Sequence, residues 1–120
     1  MSVNVVVIDD DPGFRRIAKT LLAARGLRVV AEAPDGASAV AAVREHRPDG
    51  VLLDLYLPDE DGLSVARALT REGHPLRIVM TSTDPSAWSD EELASAGILR
   101  FVAKDRLVDT DLNALFSPTA

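Results

Sequence analysis

Cysteine is absent from all 120 residues, which excludes disulfides and thiolate metal sites and fits a reducing compartment. Aromatic residues are scarce at 4%, and 13 Lys and Arg against 19 Asp and Glu leave a formal net charge of −6. That balance disfavours nonspecific nucleic-acid binding. No apolar run approaches the length of a membrane span, and the N-terminus lacks the basic start and apolar core of a signal peptide. The expected setting is the cytoplasm, with no membrane partner. Neither G-x-G-x-x-G nor a Walker sequence is present. No fixed-period repeat, linker or low-complexity tract divides the chain. Residues 1–120 are therefore expected to form one domain, with a frayed tail from about 117.

What is present alternates from end to end. Val3 to Ile8 reads as a strand, and Phe14, Ile17, Ala18, Leu21 and Leu22 follow at helical spacing until Gly26. Leu27 to Ala33 predicts a second strand. Ala39, Val40, Ala42 and Val43 mark a helix face ending near His46 and Arg47. Val51 to Leu53 is a short third strand, then comes the loop "LYLPDEDG" and a helix carrying Leu63, Ala66 and Leu69. Ile78 to Met80 is a fourth strand, Asp90 to Gly97 a short fourth helix, and Ile98 to Ala103 a fifth strand. A last amphipathic turn or two spans Leu107 to Phe116, with Asp109 or Thr110 as its expected cap. Five strand–helix units in this order predict an α/β fold: a parallel sheet with helices on both faces.

Ligands of such sheets bind at the carboxyl ends of the strands. Those ends carry Asp9, Asp10 and Asp11 on strand one, Asp54 on strand three, Thr81 and Ser82 on strand four, and Lys104 on strand five. Scattered along the chain, these groups meet at one rim. Crowded carboxylates share a proton or hold a cation, and a hard divalent ion such as Mg²⁺ is the natural guest. Lys104 and a Thr81 hydrogen bond would face a phosphoryl group, and Asp54 is free to form an acyl phosphate.

With these residues placed, the sequence resembles the receiver domain of two-component response regulators over essentially its whole length. Asp9, Asp10, Asp54, Thr81 and Lys104 match the family's positions, as do Pro58 and Gly62 in "LPDEDGL". The resemblance implies a flavodoxin-like, doubly wound, five-stranded parallel sheet of order 2-1-3-4-5. It implies that Asp54 accepts phosphate from a phosphohistidine on a sensor histidine kinase or histidine phosphotransfer protein. Asp10 and Asp54 would ligate Mg²⁺ (or Mn²⁺) directly, with Asp9 acting through water and Tyr56 offering its backbone carbonyl. Thr81 and Phe101 match the pair that reports phosphorylation to the face of helix four, strand five and helix five, where a downstream protein or a second copy would bind. Tyr56 and Thr83 occupy positions that tune the lifetime of the acyl phosphate, and a bulky Tyr56 is expected to shield it. Where the family has Pro after the lysine, this chain has Asp105. The expected chemistry is autocatalytic, on Asp54 alone, so the protein is a switch and not an enzyme with a separate substrate. With nothing after Ala120, the expected output is protein–protein contact.

Other readings stand beside this one. Asp11 before Pro12 is a helix start, a capping carboxylate with Pro at the first helical position. Phe101 also reads as core, Trp88 as packing on the helix it precedes, and His46 and His74 as surface residues near helix ends. Asp9 and Asp11 form a D-x-D, as in haloacid-dehalogenase-like phosphatases with Asp9 as nucleophile, although Gly13 stands where that motif has Thr or Val. A flavodoxin-like cofactor binder would need a Ser/Thr/Gly-rich phosphate loop, whereas "DDDPG" repels phosphate. A receiver-fold scaffold that is never phosphorylated is a further alternative.

Overall fold

A computed structural model describes residues 2–83 and 88–117 of the chain. The β-branched run Val5–Ile8 favours an extended backbone, and it forms β1 (Asn4–Ile8) with all four side chains fully buried. The other strands are β2 (Arg28–Ala33), β3 (Gly50–Asp54), β4 (Arg77–Ser82) and β5 (Ile98–Ala103). All pair in parallel, in the order β2-β1-β3-β4-β5. This is the flavodoxin-like topology that the sequence leads one to expect.

Alternation along the strands sends successive residues to opposite faces. Val5, Val7, Leu52, Val79 and Val102 pack with Ala18 and Leu22 of α1 (Pro12–Ala24) and with Leu112 and Phe116 near the chain's end. Val6, Ile8, Leu53 and Met80 pack on the other side. There they meet α2 (Gly36–His46), α3 (Gly62–Thr70) and α4 (Asp90–Ser95). Helix starts follow local chemistry. Asp11, Asp35 and Asp61 accept backbone N–H bonds in the first turns of α1, α2 and α3, and Ser89 with Glu92 closes a reciprocal cap on α4. No helix among the described residues is long and apolar enough to cross a membrane.

The last segment differs from the sequence reading. A 3-10 helix runs over Lys104–Asp109, and a separate α5 (Leu112–Phe116) is capped by Asp111, not by Asp109 or Thr110. The reason lies in spacing. Leu107 and Leu112 are both buried, yet five positions apart they fall on different sides of one helix. The chain breaks between them, and the Arg25 guanidinium donates to the freed carbonyls of Val108 and Thr110, each at 2.6 Å. Trp88 lines a cleft with Leu93 of α4 and Phe101 of β5 while keeping 38% of its surface exposed, less packed than expected. His46 ends α2 as an exposed residue, and His74 approaches the Pro48 carbonyl at 3.3 Å. The expected frayed tail lies outside the described residues from Pro118 onward.

Candidate functional site

Parallel register sets the strand ends side by side: Ile8 is level with Leu53, Asp54 with Thr81, and Ser82 with Ala103. The rim therefore gathers Asp9, Asp10, Asp54, Thr81 and Lys104, as expected from sequence. Oxygens of Asp9, Asp10 and Asp54 lie within 4.8 Å of one another, so the set fits a hard cation with oxygen ligands. Asp10 is exposed, whereas Asp9 and Asp54 are buried.

The carboxylates are engaged to different degrees. Asp9 Oδ1 accepts the Asp11 N–H at 2.9 Å, and its Oδ2 lies 2.8 Å from the Lys104 ammonium. Asp54 Oδ1 takes only a long 3.4 Å bond from the Tyr56 N–H, and its Oδ2 stands 3.8 Å from Lys104 Nζ. Burial, with the Asp9 charge adding to it, raises the Asp54 pKa from 3.8 to about 6 against the opposing pull of Lys104. Beside it, the Thr81 hydroxyl is buried with no hydrogen-bond partner among the described residues. A buried hydroxyl in that state is costly unless something arrives to accept from it.

The backbone behind Asp54 is closely fitted. Gly62 donates to the Leu55 carbonyl at 2.7 Å, and Tyr56 bridges Asp61. A Cβ on Gly62 would sit 2.7 Å from the Asp54 carbonyl oxygen, so only glycine admits this approach. Asp59 reaches the start of α2, accepting from Gly36 and Ala37 at 2.9 and 3.1 Å; those bonds hold its carboxyl below the usual range. Tyr56 has its side chain exposed beside Asp54, and Thr83 is exposed just beyond β4. Phe101 is half-buried, level with Met80 and one step before the residue paired with Thr81. Asp11 caps α1, the role expected for it. All peptide bonds among the described residues are trans, Lys104–Asp105 included.

Sequence reasoning misses three contributors. Phe14, which reads in sequence as an ordinary apolar helix position, lies with its ring centroid 4.2 Å from Lys104 Nζ. Arg15 donates to the Asp9 carbonyl at 2.6 Å and pairs with Glu32 at 3.0 Å. Asp59 reads in sequence only as part of a loop. Their partners lie in other elements of the fold, which local spacing does not report.

A hydroxyl, an ammonium and three carboxylates thus gather at the carboxyl end of a 2-1-3-4-5 sheet. The chain belongs to the response regulator receiver domain family, whose model matches residues 5–115. It is 31% identical to the chemotaxis protein CheY of Bacillus subtilis over 96% of both chains. It also resembles the solved signal receiver domain of the response regulator NarL from Mycobacterium tuberculosis, with 32% identity, a TM-score of 0.84 and 98% of each chain covered. A Burkholderia pseudomallei response regulator, solved with a phosphorylated aspartic acid, a calcium ion and citrate, is 26% identical at a TM-score of 0.81, covering 93% of this chain and 65% of that one. Several relatives are longer. The chain spans 32% of a Myxococcus xanthus protein-glutamate methylesterase and 53% of the Bordetella pertussis regulator BvgA. The dehalogenase-like alternative gains no support from these likenesses, and Asp9, fully buried with both oxygens engaged, is poorly placed as a nucleophile.

Proposed function

We propose that Asp54 is the phosphoacceptor of this receiver, taking its phosphoryl group from a phosphohistidine of a sensor histidine kinase or histidine phosphotransfer protein. The observation that carries the reading is the contrast between Asp9 and Asp54. Of the two buried carboxylates only Asp54 has loosely held oxygens, and it faces both the Lys104 ammonium and the orphaned Thr81 hydroxyl. In the transfer, an ionised Asp54 oxygen forms a bond to phosphorus as the donor's P–N bond breaks, and that electron pair stays on the imidazole nitrogen. Lys104 offsets charge on the phosphoryl oxygens and Thr81 donates its hydroxyl to one of them.

Asp10 and Asp54, with Asp9 through water and the Tyr56 carbonyl, would hold Mg²⁺ or Mn²⁺. Such an ion neutralises the clustered charge and orients phosphoryl oxygens. The acyl phosphate carries roughly −1.5 to −2 where the ionised carboxylate carried a single negative charge. Drawing Thr81 toward it biases a pre-existing equilibrium between two arrangements of β4 and β5. Phe101, Leu99 and Trp88 then supply the apolar part of a surface for a downstream protein or a second copy. The chemistry is confined to Asp54, with no separate substrate turned over. The test is incubation with a small acyl phosphate and Mg²⁺, followed by intact-mass measurement. One phosphoryl adduct, lost in Asp54→Asn, is expected; an adduct that persists in that variant, or none with active donor, overturns the reading.

A further inference from the structure

We propose that Phe14 is a positioning residue for phosphoryl transfer, its ring face holding the Lys104 ammonium between Asp9 and Asp54. The inference rests on the reading of Asp54 as phosphoacceptor. Lys104 ends a flexible four-carbon stem, so its usefulness depends on what fixes the tip. The ammonium meets Asp9 Oδ2 at 2.8 Å and stands 3.8 Å from Asp54 Oδ2. The ring centroid lies 4.2 Å from Nζ, well inside the range of a cation–π contact. Only 17% of the lysine side chain is exposed, so little water competes for that contact.

The 3.8 Å gap is functional in this account. It is about 1 Å longer than a charge-assisted hydrogen bond, so the ammonium stops short of closing on Asp54 and can meet an incoming oxygen instead. The aromatic face satisfies the cation without accepting a conventional hydrogen bond. An aliphatic side chain of similar volume would fill the space but exert no such pull.

Phe14 is itself well anchored. Asp11 and Pro12 start α1 directly before it, and its ring packs against the sheet face built on Val5 and Val7. The next residue, Arg15, ties the same helical turn to the Asp9 carbonyl and to Glu32. One turn of helix thus caps itself, braces Asp9 and presents the ring to Lys104.

The full chain is compared with Phe14→Leu and Phe14→Tyr in two measurements: the rate of adduct formation with a small acyl phosphate and Mg²⁺, and the NMR shifts of the Lys104 ε-protons. Phe14→Leu is expected to slow adduct formation about tenfold, a smaller loss than removing a charge-stabilising donor outright. Phe14→Tyr should restore the rate. The ε-protons should be shifted upfield in the parent and in Phe14→Tyr but not in Phe14→Leu, with similar melting temperatures throughout. A parental rate in Phe14→Leu, or a Phe14→Tyr rate as slow as that of Phe14→Leu, overturns the proposal. Should the parent take up no phosphoryl group, the reading of Asp54 falls, and the ring-shifted Lys104 signal alone decides whether Phe14 places the ammonium. An unshifted parental signal overturns that placement too.

Discussion

Asp11, Asp35, Asp61 and Asp111 each accept a backbone N–H in the first turn of a helix, whereas Asp9, Asp10 and Asp54 crowd their oxygens within 4.8 Å at the strand ends. The residue type is the same and the electrostatic consequence is opposite. At a helix start the carboxylate meets unpaired donors and a favourable dipole, so its charge supports the fold. At the rim Asp54 meets the Asp9 carboxylate and a dry surrounding, so its charge opposes the fold until a cation or proton arrives. Position along the secondary structure, more than residue identity, decides whether the charge of an aspartate supports this fold or opposes it.

The largest test of that contrast is Asp54→Asn measured for stability. Because the folded pKa is raised from 3.8 to about 6, the folded state binds the proton more tightly than the unfolded chain. The stabilising contribution is complete below 3.8 and disappears as pH rises through about 6. Without divalent cations, the variant should therefore be more stable than the parent at pH 7, by about 3 kcal/mol at most. Denaturant melts across that range should show the difference shrinking to nothing in acid; a variant less stable than the parent at pH 7 would break the comparison. Next in size, Mg²⁺ should stabilise the parent by about 2.7 kcal/mol at a hundredfold excess over its dissociation constant. Calorimetry should show much of this gain lost in Asp54→Asn.

The helix-start aspartates should respond in the other direction. Asp61→Ala removes the side chain that accepts the Ser64 N–H at 2.8 Å and is expected to destabilise by about 1 kcal/mol, with Asp61→Asn close to parental. Smallest is Asp59→Asn. The Gly36 and Ala37 N–H groups lower the Asp59 pKa. Its contribution is thus present above the ordinary 3.8 and lost as pH falls below it through the depressed value. Asp59→Asn melts should converge with the parent's in strong acid and fall slightly below them at neutral pH.

How far the sequence reports all this depends on distance along the chain. The buried run Val5–Ile8, the cap at Asp11 and the strand-end positions of Asp54, Thr81 and Lys104 are legible because each follows from a few neighbouring residues and one topological rule. The break between Asp109 and Leu112 is not, because the apolar pattern of Leu107, Leu112 and Phe116 shows which residues are buried but not where the helix starts. Arg25, which takes the carbonyls at that break, lies at the far end of α1. Likewise nothing around Phe14 announces Lys104, and nothing around Asp59 announces the start of α2.

The two ends of the Lys104–Asp9 ion pair hang from very different strands. Asp9 extends β1, which lies between β2 and β3 with both faces dry, while Lys104 follows β5 at the edge of the sheet. Amides of the interior strand are expected to exchange through larger openings than those of the edge strand. The two ends of this ion pair should therefore run on different clocks, the β1 end slow and the β5 end faster, as hydrogen exchange would show.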